Sequence, residues 1–166
     1  LSKARLWHEK MFVLEQEIKE CLDELVSFAH RFPDVEFFIV ESNHYLFLNK
    51  YIGEENFLED GQNSVFACKL FVGTSEGESQ PMLQRAMGLV GDIPENVTFL
   101  NEDDDYRVRG VGLGQHGHRG SGGSRGTPMQ FSNNNLKLIT GHTHSPCIMA
   151  NGLTVGTSTK LKLSYT

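Results

Sequence analysis

Three times in this chain an apolar, β-prone run stops at a short loop that carries histidine, or asparagine and histidine. Val35 to Val40 leads into Glu41-Ser42-Asn43-His44. Val108 to Leu113 leads into Gly114-Gln115-His116-Gly117-His118-Arg119-Gly120. Leu136 to Thr140 leads into Gly141-His142-Thr143-His144 and then Ser145-Pro146. Open α/β sheets build their sites in that place, at the carboxyl ends of strands. In an extended segment, residues two apart point the same way, so His142 and His144 can serve one site or two adjacent metals. Gly141 lets the backbone turn at the end of its strand, and Pro146 stops the pairing from continuing. Taken alone, His142 and His144 read as two exposed loop histidines. The other two segments shift the balance, since His and Asn in such loops suit a borderline transition metal.

The rest of the chain supplies helices and further strands. Trp7, Met11, Leu14, Ile18, Leu22, Leu25 and Ala29 fall at steps of three or four, which predicts one amphipathic helix over residues 3 to 30. Pro33 and Asp34 end it. Val35 to Val40 has little alternation and reads as a strand buried on both faces. Helical spacing resumes over Tyr45 to Ile52, around Val65 to Phe71, and over Pro81 to Val90 with Pro in the first turn. Gly73 to Ser79 reads as a polar loop. Strands are expected at Asn96 to Leu100, Tyr106 to Leu113, Leu136 to Thr140, Cys147 to Ala150, Leu153 to Val155 and Leu161 to Ser164, with Asn151-Gly152 as a two-residue hairpin turn. A helix–strand start and a β-rich end make an α/β fold.

Composition narrows the function. The 166 residues suffice for one domain with a core. A net charge of −6 argues against a nucleic-acid binder that uses its whole surface, though not against a local basic patch. No secretory signal pattern or long apolar run is present, so no membrane span is expected. Cys21, Cys68 and Cys147 are widely spaced and form no Cys-x-x-Cys, which fits reduced thiols in a cytoplasmic setting. The run Glu102-Asp103-Asp104-Asp105 lacks calcium-loop spacing and reads as a solvated acidic loop. Arg119-Gly120-Ser121-Gly122-Gly123-Ser124-Arg125-Gly126 is the most unusual stretch. Its glycines could bring backbone N–H groups to an anion, and Arg119 and Arg125 could pair with phosphate. A flexible linker is the competing reading.

In this order, Asn43-His44, His116-Gly117-His118 and Gly141-His142-Thr143-His144 resemble the last three motifs of the calcineurin-like metallophosphoesterases. The Gly-rich segment further resembles phage DNA-degrading members of that family. The resemblance implies part of a four-layer α/β/β/α sandwich and a phosphodiesterase or nuclease with two divalent ions. Manganese is the first expectation; zinc, iron and magnesium are the alternatives. Two metals acidify a water and clamp the phosphate oxygens. By the same resemblance, Asn43, His116 and His142 would bind the second metal and His144 the first. His44 would face the substrate as acid to the leaving oxygen or as phosphate donor. His118, Arg119 and Arg125 would meet the substrate, DNA in the phage members, in the host cytoplasm. In the other register His118 is the ligand and His116 its neighbour.

The chain departs from the family in definite places. Ser42 stands where the family has Gly, and Tyr45 where it has an acid. Neither Asp-x-His nor Gly-Asp-x-x-Asp occurs ahead of Asn43. The chain is therefore expected to be the C-terminal part of one metallophosphoesterase-like domain, whose N-terminal half is its partner. These departures also admit a non-catalytic scaffold or binding module with a partial metal site. Asn43, His116, His142 and His144 are expected to converge.

Overall fold

Leu14, Ile18, Leu22, Leu25 and Ala29 line one face of a helix, while Glu15, Glu17, Glu20 and Asp23 stay in water. In a computed structural model of the protein this helix, α1, runs over Leu14–Arg31 and buries Ile18, Leu22 and Ala29. The structure describes residues 13–75, 80–102, 104–133 and 137–156. The expected helical residues before these, Trp7 and Met11 among them, and the expected strand at 161–164 lie outside the described residues. Glu15 and Glu17 in the first turn and His30 and Arg31 in the last complement the helix dipole. The residue before the helix, Val13, offers no side-chain cap. Asn63 replaces it from far along the chain, its Oδ1 accepting from the Leu14 N–H at 2.8 Å.

The described chain is a mixed α/β protein, and it divides into two units. The first takes in the residues up to Ile39 and His44–Phe99. It holds α1, most of strand β1 (Phe37–Val40), α2 (Tyr45–Gly53), a 3-10 turn (Asn56–Glu59), α3 (Ser64–Ser75), α4 (Met82–Val90) and most of β2 (Val97–Leu100). β1 and β2 pair as a two-stranded sheet. The residues of β1 are half-buried rather than buried on both faces as expected, since among the described residues β2 is the strand's one neighbour. α3 starts at Ser64 and continues to Ser75, past the Gly73 where a loop was expected. Ile18, Leu22, Ile52, Phe57, Phe66, Leu70, Leu83, Met87 and Phe99 form the core of this unit.

At the edge of that core the Tyr51 hydroxyl donates to Asp60 at 3.0 Å, and the Asn63 amide donates to Asp60 at 2.9 Å. Burial works against the Asp60 carboxylate. Hydrogen bonds from the Asn63 and Tyr51 side chains and from the backbone N–H groups of Asn63 and Gln62 outweigh it and hold the pKa below its ordinary value. Burial, then the bond to Asp60, pushes the Tyr51 phenol well above its own. A carboxylate with a depressed folded pKa stabilises the fold above its unfolded pKa, about 3.9, and that contribution is lost as pH falls through the folded value. The urea midpoint is therefore expected to drop below about pH 4 more steeply for the native chain than for Asp60→Asn. Identical acid profiles for the two would show that Asp60 contributes nothing.

The second unit takes in Val40–Asn43 and the chain from Leu100 onward. It carries β3 (Arg107–Val108), β4 (Val111–Gly112), α5 (Pro128–Ser132), β5 (Lys137–Thr140), β6 (Cys147–Ile148) and β7 (Gly152–Thr154). The sheet order is β3-β4-β5-β7-β6; β4 and β7 run parallel to β5, and the two outer pairs are antiparallel. The single strand expected over Tyr106 to Leu113 is instead a hairpin. Arg109 (φ 50°) and Gly110 (φ 80°) are both left-handed, as a tight two-residue turn requires, so the run folds back on itself. The hairpin expected at Asn151-Gly152 forms one residue earlier. Met149 and Gly152 exchange hydrogen bonds at 2.8 and 3.3 Å around Ala150 and Asn151, and Gly152 already belongs to β7. α5 was not expected, yet it has a sequence signature. Thr127 and Gln130 make a reciprocal capping box with Pro128 just inside the helix.

Candidate functional site

β4 and β5 lie side by side and parallel, Gly112 opposite Leu138, so they leave the sheet at the same edge. The loop after β4 carries His116, and the loop after β5 carries His142. The two loops are tied where the Gly141 N–H donates to the His116 carbonyl at 2.9 Å. The turn expected at Gly141 is made at His142, whose backbone is left-handed (φ 63°). A non-glycine residue held there is uncommon, and such strain collects at functional sites. The left-handed residue also breaks the extended alternation, so His144 does not follow His142. His144 is exposed and, among the described residues, shares no hydrogen bond or ring contact with His116, His142 or Asn43.

Asn43 closes the group. Its Oδ1 lies 2.9 Å from His116 Nε2 and 3.3 Å from His142 Nδ1. The His116 and His142 ring centroids are 5.4 Å apart, edge to face. Donors bound at 2.0–2.1 Å to one tetrahedral or octahedral ion stand about 2.8–3.4 Å from each other. Both separations are hydrogen-bond distances with Asn43 Oδ1 between the two rings, and both also fall in that range, so the spacing of the amide oxygen from each imidazole is compatible with a shared divalent ion. Among the described residues no three His, Cys, Asp or Glu side chains are gathered around one metal position, and the third donor here is Asn43.

Of the two registers open for His116-Gly117-His118, the folded one brings His116 to Asn43. His118 sits 5.6 Å from His116 and 6.2 Å from His142 between ring centroids. Its Nε2 lies 3.2 Å from Glu102 Oε1, in ion-pair range though off the line of a hydrogen bond. Gly117 between them has φ 92°, and a Cβ on it would come within 2.8 Å of Thr140 Cβ. Only glycine lets the loop pass this close to β5. Thr140 is in turn held beside its partner Thr154 on β7, hydroxyl to hydroxyl at 3.4 Å.

The Gly-rich segment is an ordered hairpin rather than a linker. Gly120 N–H donates to Ser124 O at 2.8 Å, Gly126 N–H donates to His118 O at 2.9 Å, and Arg119 pairs with Arg125 across the bridge. Gln130 Nε2 reaches back to Ser124 Oγ at 3.0 Å, fastening the hairpin to α5. Directly opposed like charges cost energy. Glu102 offsets this by taking Arg119 Nη1 at 3.0 Å, while Arg125 is exposed.

Glu102 corrects the expectation of a solvated acidic loop. Its side chain is only 24% exposed, and it meets His118 and Arg119. Asp104 closes the same turn on the Asn101 N–H at 2.7 Å, and Asp105 pairs with Arg107. Asp103 lies outside the described residues. The Glu102 N–H donates to Glu41 Oε2 at 2.9 Å. Both acids had a signal in the sequence. Glu102 follows the end of β2, a fourth β-run closing on a polar loop, and Glu41 stands two residues before Asn43, on the same side of an extended chain. A polar cavity of about 160 Å³ is lined by Glu41, Glu102, Gln115, His116, Gly117, His118 and Arg119.

His44 and Tyr45 belong to the first unit. His44 immediately precedes α2 and sets its exposed ring edge-on to Phe47, 6.0 Å between centroids. Tyr45 packs against the core of that unit.

No family model matches the chain, and no solved structure matches it. In an alignment of 134 residues that covers 76% of the chain, it is 33% identical to Protein A1 of Escherichia phage T5, and it spans 24% of that relative. It is thus similar, through three-quarters of its length, to about a quarter of a phage protein.

Proposed function

We propose that the full-length protein is a metal-dependent phosphodiesterase acting on DNA. On this reading the chain is the C-terminal part of a four-layer α/β/β/α metallophosphoesterase sandwich. One observation carries the reading: Asn43, His116 and His142, far apart in sequence, meet at hydrogen-bond distances beside two parallel strand ends. These three would hold one divalent ion, the second of the pair and manganese first in expectation, and His144 would contribute to the other. When bound, such metals supply Lewis acidity to an attacking water and screen the phosphate charge. The chain's own residues do the rest. Arg119 and Arg125 present guanidinium groups suited to bidentate contact with phosphate. His44, next to Asn43 in sequence, would serve as acid to the leaving oxygen or as phosphate donor.

The test is cleavage of a DNA oligonucleotide in manganese by the full-length protein. His44→Ala is expected to keep the metal content while kcat falls about 100- to 10,000-fold. A metal-free protein that cleaves nothing would overturn the reading. That result would favour the scaffold alternative, which Ser42 and the buried-side role of Tyr45 support.

A further inference from the structure

We infer that Glu102 is a positioning residue of this site, holding His118 and Arg119 together on one wall of the polar cavity beside His116. The inference rests on the phosphodiesterase reading for its consequence, though not for its geometry. Glu102 Oε1 lies 3.2 Å from His118 Nε2, and Oε2 lies 3.0 Å from Arg119 Nη1. One carboxylate therefore spans two consecutive side chains of the loop that carries His116. His118 is largely buried, its side chain 11% exposed, so its ring has little freedom to find another partner. Glu102 is itself fixed. Its N–H is held by Glu41 at 2.9 Å, and its turn is closed by Asp104 on the Asn101 N–H at 2.7 Å. Glu41 stands two residues before Asn43, so one short segment anchors both the donor amide and the carboxylate. The cavity of about 160 Å³ has Glu102, His118, Arg119 and His116 on its walls. That volume suits a phosphate-sized group rather than a nucleoside.

A carboxylate facing a polyanion site would be an electrostatic cost if it did nothing else. Removing it would then tighten binding and leave kcat alone. Held as a clamp, it costs some affinity and sets the orientation of His118 and Arg119, so its removal should fall on kcat. Carboxylate partners of metal-binding histidines are typically worth about 10- to 100-fold, and the same order is expected for a carboxylate that orients His118 beside the site.

The experiment compares Glu102→Ala and Glu102→Gln in the full-length protein on a DNA oligonucleotide, with metal analysis. Imidazole nitrogen NMR of the metal-free protein gives a second readout. Glu102→Ala is expected to lower kcat about 10- to 100-fold with KM unchanged or lower and metal content unchanged. Glu102→Gln, which keeps the side chain's shape and an oxygen beside both partners but not the charge, recovers part of the loss. The ring signals of His118 move in both variants while those of His116 and His142 hold. A lower KM with unchanged kcat would overturn the inference, making Glu102 a repelling bystander. Loss of metal and of thermal stability in step with activity would also overturn it. So would unmoved His118 signals. A native protein that shifts His118 on mutation but cleaves no phosphodiester would separate the two ideas: the clamp would stand, and the phosphodiesterase reading would fall.

Discussion

His142→Ala in the full-length protein is expected to abolish most phosphodiester hydrolysis, a loss well beyond the roughly 10- to 100-fold typical of residues that only support a metal ligand. The side chain is one of three donors that converge within 2.9 and 3.3 Å. Removing it leaves Asn43 and His116, too few to hold a divalent ion against water. The backbone adds a second penalty. Position 142 is left-handed (φ 63°), a region that His tolerates better than Ala. His142→Asn separates the two effects. Asparagine accepts the left-handed backbone and keeps an oxygen donor, so it should recover stability fully and metal binding in part. Manganese content and kcat, measured on both variants, check this. Undiminished hydrolysis by His142→Ala would place the chemistry elsewhere.

Gly126→Ala is expected to cost about 1–3 kcal/mol of stability, the usual range for overpacking, and to lower activity more than tenfold. A Cβ at this position would collide with the carbonyl oxygen of Gly117 and come 3.0 Å from the Phe131 ring. The oxygen is backbone and cannot swing away. Gly117 lies between His116 and His118, so the strain passes into both. The Gly126 N–H bond to the His118 carbonyl, 2.9 Å, would be lost or stretched with it. Gly88→Ala is the control. It lies exposed in α4 with nothing within 4 Å of its Cβ, and there alanine should be neutral or stabilising by up to about 1 kcal/mol. Urea unfolding and initial rates on the two variants give the comparison. Equal behaviour would mean that the 117–126 contact is dispensable.

Much of the local structure was legible because it depends on near neighbours. α1 follows from apolar residues at helical spacing, α2 and α4 likewise, and β5 from a short apolar run ending at glycine. The hairpin errors have local causes as well. An Arg-Gly turn inside Tyr106 to Leu113 was hidden by the apolar residues on either side, and Asn151-Gly152 predicted a turn whose register the pairing of β6 with β7 shifted by one. The order of the motifs identified the side chains worth watching, and Asn43, His116 and His142 do meet.

Sequence by itself determined the mixed class, the main helices, and the loops that carry the asparagine and the histidines. All of these depend on residue type and on spacing within one segment. Tertiary structure alone decided which of those residues share a site. It set β4 parallel to β5, turned His142 left-handed so that His144 stands apart, and folded the 118–126 stretch into a hairpin fastened to α5. It drew Glu102 out of an acidic run and placed it against His118 and Arg119. Such contacts join residues distant along the chain, and their energies depend on distance and burial in three dimensions, which no periodicity encodes.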